Sequence, residues 1–171
     1  INIAGLAIGM AASMLILLWI VDELSYDQFH KNRDRIYQVG IHTKINGEIQ
    51  TTGRTTSLLA PVLAANYPEV EQTARTNWVA AFFFHAGEKH LSSRGMIVDP
   101  SFLKIFDYPL VQGSRNTALD GPRSLVVTES FAKKLFGSTD VMGKTARIDS
   151  SENFVVTGIL KDFPHNTEFS I

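Results

Sequence analysis

Residues 1–21, INIAGLAIGMAASMLILLWIV, form an apolar run that contains no Asp, Glu, Lys, Arg or His. At about 1.5 Å per helical residue the run extends roughly 31 Å, enough to cross the hydrocarbon core of a bilayer. A soluble helix carries a polar stripe, and the apolar part of a signal peptide is only about 7–15 residues long and follows a basic segment. Ala11, Ala12 and Ser13 resemble a cleavage site, yet the apolar character continues past them through Leu15, Leu17, Trp19 and Val21. The pattern predicts a transmembrane helix over residues 1–21. Advancing about 100° per residue places Asn2, Gly5, Gly9, Ala12 and Ser13 on one side of it. Gly5 and Gly9 make a small-xxx-small motif, which in lipid lets a second helix approach closely. Gly5, Gly9 and Ser13 are therefore candidate helix-packing positions.

The pattern changes abruptly at Asp22. Residues 22–35 form a membrane-proximal segment in which Ser25, followed three positions later by Gln28, fits a capping box and predicts a short helix at the membrane surface. Tyr26 and Phe29, with Trp19 shortly before them, suit an interface where an aromatic body meets lipid and a polar tip meets water. Asp22, Glu23, Tyr26 and Phe29 are the candidate residues for a rigid coupling between the span and the domain beyond it.

Residues 36–171 read as one α+β domain. Arg35 to Lys44 alternates imperfectly, Asn46-Gly47 is a hairpin turn, and Glu48 to Arg54 returns antiparallel. Ser57 to Tyr67 is a predicted helix with Pro61 near its start and Pro68 closing it; Leu58, Leu59, Val62, Leu63 and Ala65 supply an apolar face for a sheet. Strands are expected in Trp78 to Phe84 and Leu91 to Val98 around a turn at residues 86–89. Asp99-Pro100 predicts a helix start with Asp as cap and Phe102, Leu103 and Phe106 facing inward, followed by a loop from Tyr108 to Gly113. Ser124 to Val127 is a strand. Thr128 caps a helix whose apolar face is Phe131, Ala132, Leu135 and Phe136 and whose end is Gly137. Strands at Lys144 to Ile148 and Phe154 to Leu160 flank a turn at residues 149–152. The expected class is α+β, with mostly antiparallel strands behind an N-terminal transmembrane helix.

Composition narrows the chemistry. The 171-residue chain has a net charge of -1, which leaves no basic footprint for nucleic acid and no polybasic membrane patch. It has no cysteine, which removes disulfides, thiolate metal sites and a cysteine nucleophile. The acidic flank Asp22, Glu23 and Asp27 ahead of Lys31, Arg33 and Arg35 favours an extracytoplasmic position for the domain.

Three motifs bear on chemistry. Gly143-Lys144-Thr145 resembles the end of a phosphate loop, but Gly137 lies one residue too far upstream and the order is helix then strand, so a turn entering a strand is the reading. His85 and His90 flank a predicted turn and face each other across a hairpin; without a third ligand nearby they read as a surface pair. Phe82 and Phe84 point to one face of a strand and Phe83 to the other, which reads as core burial. No Gly-x-Ser-x-Gly elbow is present, and the paired carboxylates Asp22-Glu23 read as solvation at the membrane surface. These residues argue for no catalytic, cofactor-binding or metal site.

The segment INIAGLAIGMAASMLILLWIVDELSYDQFHKNRDRIYQV resembles the first transmembrane helix and membrane-proximal entry of MacB/FtsX-type ABC-transporter permeases with a MacB-like periplasmic core domain. LAANYPEVEQTAR, VDPSFLKIFDYPLVQG, SLVVTESFAKKLFGSTDVMGKTARI and FVVTGILKDFPHNTEF match further along, in the expected order. The resemblance implies a permease with four membrane helices and a large outer domain between the first two. It also implies a partner cytoplasmic ABC ATPase that hydrolyses ATP, other transmembrane helices of the same permease, and a dimer of permeases. It places the first helix in the cell (inner) membrane and residues 22–171 in the periplasm. Against that pattern the chain lacks a cytoplasmic start, the last part of the outer domain and three later helices, so the expectation is a fragment. A regulatory module of FtsX kind, activating an extracytoplasmic cell-wall hydrolase, is the alternative; a membrane-anchored enzyme is a third reading.

Overall fold

The computed structural model describes residues 3–149 and 152–167. Helix α1 spans Ile3–Leu24, three residues beyond the apolar run, and has no buried residue. It is long and apolar enough to cross a membrane. Asn2, expected on its small-residue side, lies outside the described residues.

The capping box does not form. Ser25 Oγ donates backwards to Asp22 O at 2.6 Å, and Gln28 Nε2 donates to Leu24 O. Both side chains bond carbonyls of the last turn of α1 instead of opening a new helix. The chain turns at residues 25–29 and makes one 3-10 turn at Arg33–Arg35.

The first hairpin pairs β1 (Ile41–Ile45) with β2 (Glu48–Thr52), joined by Asn46-Gly47. Both turn residues take positive φ, 51° and 90°, as a tight two-residue turn requires. Strand β1 starts six residues later than the alternation predicts: Arg35 ends the 3-10 turn and residues 36–40 have no regular structure. Helix α2 (Leu59–Asn66) comes next, with Pro61 in its first turn. Its expected apolar face is covered only in part: Leu59 and Leu63 are half-buried, whereas Leu58 and Val62 are 69% and 50% exposed.

The six-stranded sheet is built from β3 (Ala80–Ala86), β4 (Lys89–Gly95), β5 (Leu110–Gln112), β6 (Ser124–Thr128), β7 (Thr145–Ile148) and β8 (Asn153–Leu160). β8 is its hub: β7 and β5 pair with it antiparallel and β6 runs parallel to it. A parallel pair needs a crossover, and here α4 (Glu129–Phe136) and β7 supply it. Thr128 Oγ1 accepts from Phe131 N, and Gly137 closes α4 in the left-handed conformation at φ 78°, as the sequence predicts. Ala132 and Leu135 of α4 are buried against Val127, Val156, Ile159 and Phe84. The fold is α+β with a mixed, mostly antiparallel sheet.

Other boundaries differ from the sequence reading as well: β3 and β4 run to the two-residue turn at Gly87-Glu88 and end at Gly95 instead of Val98. Helix α3 (Phe102–Ile105) begins after Ser101, and Asp99 is drawn away to hold Arg75 through a two-pronged pair at 2.8 and 2.9 Å. The predicted loop after Tyr108 contains β5, a three-residue strand too short to show alternation and ordered by its pairing with β8. Ser150 and Ser151 of the predicted turn lie outside the described residues.

Candidate functional site

The place where α1 enters the outer domain is built from three distant stretches: residues 25–31, 106–108 and 163–167. Each contributes backbone and side chain to one joint. Asp27, at φ 54°, donates its N–H to Asn166 O at 3.0 Å, while Asn166 Nδ2 donates to Ser25 O at 2.8 Å and to Ser25 Oγ at 3.1 Å. Thr167 Oγ1 donates to Asp27 Oδ1 at 2.8 Å and lies 3.3 Å from the Tyr108 hydroxyl. The bonds to Ser25 and Asp27 cross about 140 residues of sequence and leave the turn after α1 little freedom.

His30 sits inside the joint, 3% exposed. Its ring packs on Phe29, Phe106 and Tyr108 with centroids at 4.1, 5.3 and 5.2 Å. Asp107 donates its N–H to His30 Nδ1 at 2.9 Å, and the Asp107 carboxylate accepts from Lys31 N at 2.8 Å. An accepting Nδ1 places the proton of a neutral ring on Nε2. That nitrogen is buried without a hydrogen-bond partner among the described residues; the nearest anion is Asp27 Oδ1 at 3.8 Å. Burial pushes the pKa of His30 below its ordinary value, Asp27 and Asp107 oppose that shift, and Arg115 adds to it. The neutral ring is the form that fits the joint.

Arg115 fastens the other side. Its guanidinium donates to Leu103 O and Phe106 O at 2.6 Å and to Tyr108 O at 2.9 Å, closing the end of α3 and the turn behind it. Tyr108 is almost wholly buried and meets Phe163 edge-on at 4.9 Å, which ties the 163–167 stretch to the same core.

The sequence-predicted coupling residues divide. Phe29 packs into the joint core beside Tyr108. Asp22 lies 3.5 Å from His165 Nε2, whereas Glu23 and Tyr26 are exposed. Gly5, Gly9 and Ser13 lie on the exposed α1, where Ser13 Oγ donates to Gly9 O at 2.9 Å. Sequence reasoning missed His30, Asp107, Arg115, Asn166 and Thr167. The only signal for them is that His30, Asp107, Asn166 and Thr167 fall within the family-like segments ending DQFHKNRDRIYQV, VDPSFLKIFDYPLVQG and FVVTGILKDFPHNTEF.

The other motifs resolve separately. Gly143 at φ 77° turns directly into β7, and no helix comes after it before that strand. Phe84 is buried against α4, but Phe83 departs from the expected core burial: it points to the face away from α4 and is 60% exposed. A cleft of about 510 Å³ runs along the sheet face beside Phe82, Phe84, Leu103, Leu125 and Phe131. Among the described residues no group of three His, Asp or Glu side chains stands close enough to hold a metal ion.

A family model described as the MacB-like periplasmic core domain matches residues 1–171. Among solved structures, a domain assigned to a permease of Porphyromonas gingivalis superposes with a TM-score of 0.62 at 27% identity, covering 72% of this chain and 53% of that one. The periplasmic region of MacB from Actinobacillus actinomycetemcomitans matches at 20% identity and TM-score 0.49, covering 60% of this chain and 49% of that one. The extracellular domain of the noncanonic ABC-type transporter YknZ from Gram-positive bacteria matches at 21% identity and TM-score 0.44, covering 52% and 49%. The chain spans about half the length of these solved domains. Among curated proteins none matches.

Proposed function

This chain belongs to the family of MacB-like periplasmic core domains, and on that premise we propose that it carries motion between a membrane helix and an extracytoplasmic domain of an ABC-transporter permease. Ile3–Leu24 is the membrane-spanning lever, lying in the inner membrane, and the sheet domain outside it is the load. A cytoplasmic ABC ATPase supplies the energy, and the moving outer domain acts on a substrate during export or extraction. The chain itself performs no bond-breaking step in this reading.

The joint at residues 25–31 is the observation that supports it. A helix that only anchors a domain can be joined to it by a loose tether, whereas a lever must be fixed to its load. Here the first turn beyond α1 is bonded to Asn166, Thr167 and Asp107. A Cβ added at Gly9 meets nothing within 4 Å, and α1 is exposed throughout, so an assembly defect in Gly9→Leu reports a neighbouring helix of the same permease or of a second copy.

The test uses the full-length permease reconstituted with its ATPase. Asn166→Ala removes both side-chain bonds to Ser25 and is expected to leave ATP hydrolysis running while substrate movement falls. Equal transport by the variant and the parent would overturn the lever reading.

A further inference from the structure

His85 and His90 lie directly opposite each other in the β3–β4 ladder, one pair in from the two-residue turn at Gly87-Glu88. In such a hairpin the pair flanking the turn, here Ala86 and Lys89, is the hydrogen-bonded one. The next pair is then of the non-hydrogen-bonded type, whose Cα atoms come to about 4.5 Å and whose side chains stand closest. The two Nδ1 atoms accordingly converge to 2.5 Å, with ring centroids 4.7 Å apart and the planes crossed at 73°.

We propose that His85 and His90 form a two-imidazole clip for a divalent first-row transition metal ion, held open to solvent at the tip of the β3–β4 hairpin. The 2.5 Å contact is a hydrogen bond in which one Nδ1 carries the proton; two nitrogens bound to one tetrahedral ion at about 2.0–2.1 Å each stand about 3.3 Å apart, so the ion enters as that ring passes to its Nε2–H tautomer and the two rings rotate slightly apart. Imidazole nitrogen suits zinc, copper and nickel, and in a chain without cysteine it is the best side-chain donor for them. Arg147 lies opposite His85 on β7, and among the described residues no carboxylate completes the set. Water fills the remaining positions, which makes the clip an exchangeable surface site and leaves the fold independent of it.

The experiment titrates the full chain in detergent with copper(II) and then zinc(II) chloride, read by calorimetry and by electron paramagnetic resonance of the copper form. The expected result is a saturable step of one ion per chain whose spectrum shows two nitrogen ligands. The step is lost in His85→Asn and in His90→Asn and kept in His42→Asn, whose parent imidazole bonds Thr51 on the other hairpin. The spectrum of the unsubstituted chain carries the decision if either variant fails to fold. Absence of a saturable step, a single nitrogen ligand, or binding that survives both substitutions would overturn the clip.

Discussion

The joint after α1 and the β1–β2 hairpin lie within thirty residues of each other in the sequence and are ordered in opposite ways. The hairpin is exposed at every position of both strands, and its register comes from its own turn. The joint has a short, turn-rich backbone that would be shapeless alone; it is held by partners 76 to 141 residues away. A local turn chooses a shape without fixing where that shape points. Distant bonds fix direction, which is what transmission of movement requires.

The largest expected effect comes from emptying the joint. His30→Ala removes a buried ring and leaves the Asp107 N–H without its acceptor, at a cost of about 2–4 kcal/mol. Hydrogen exchange should rise across residues 24–31 and 106–108 and stay unchanged in β1 and β2. Spread of the effect into the hairpin would erase the contrast.

Acid should loosen the same place. Burial holds the folded pKa of His30 below the ordinary 6.5, so both states are neutral above that value and the joint is at full strength there. As pH falls from about 6.5 towards the lower folded pKa, the unfolded chain binds the proton first and stability is lost. Thermal unfolding measured against pH should show this loss in the parent and a flatter profile in His30→Gln.

The hairpin should respond to a smaller and separate change. Gly47→Ala puts a Cβ at φ 90°, costing about 1–2 kcal/mol within the turn. Exchange in β1 and β2 should rise while the amides of Asp27 and Lys31 keep their protection.

This contrast also explains what the sequence discloses. The Asn46-Gly47 turn, the Thr128 cap, the Gly137 stop and the apolar face of α4 are local signals, and each appears where it is expected. The joint is hidden because Asn166 and Asp107 gain meaning only when the chain brings them to Ser25, Lys31 and His30. Ser25 and Gln28 mislead for a related reason: a capping pattern on paper becomes a way to close the previous helix when the carbonyls of its last turn lie within reach. Of the predicted coupling residues, Phe29 enters the joint core because its neighbour His30 is buried, a pairing that no periodicity announces.

A distance distribution between α1 and the outer domain tests the lever most directly. The chain has no cysteine, so cysteines placed at Leu17 and Glu129 in the membrane-reconstituted protein carry the only two spin labels. The account predicts a single narrow distribution that broadens in Asn166→Ala and in His30→Ala. A broad distribution in the parent, unchanged by either substitution, would contradict it.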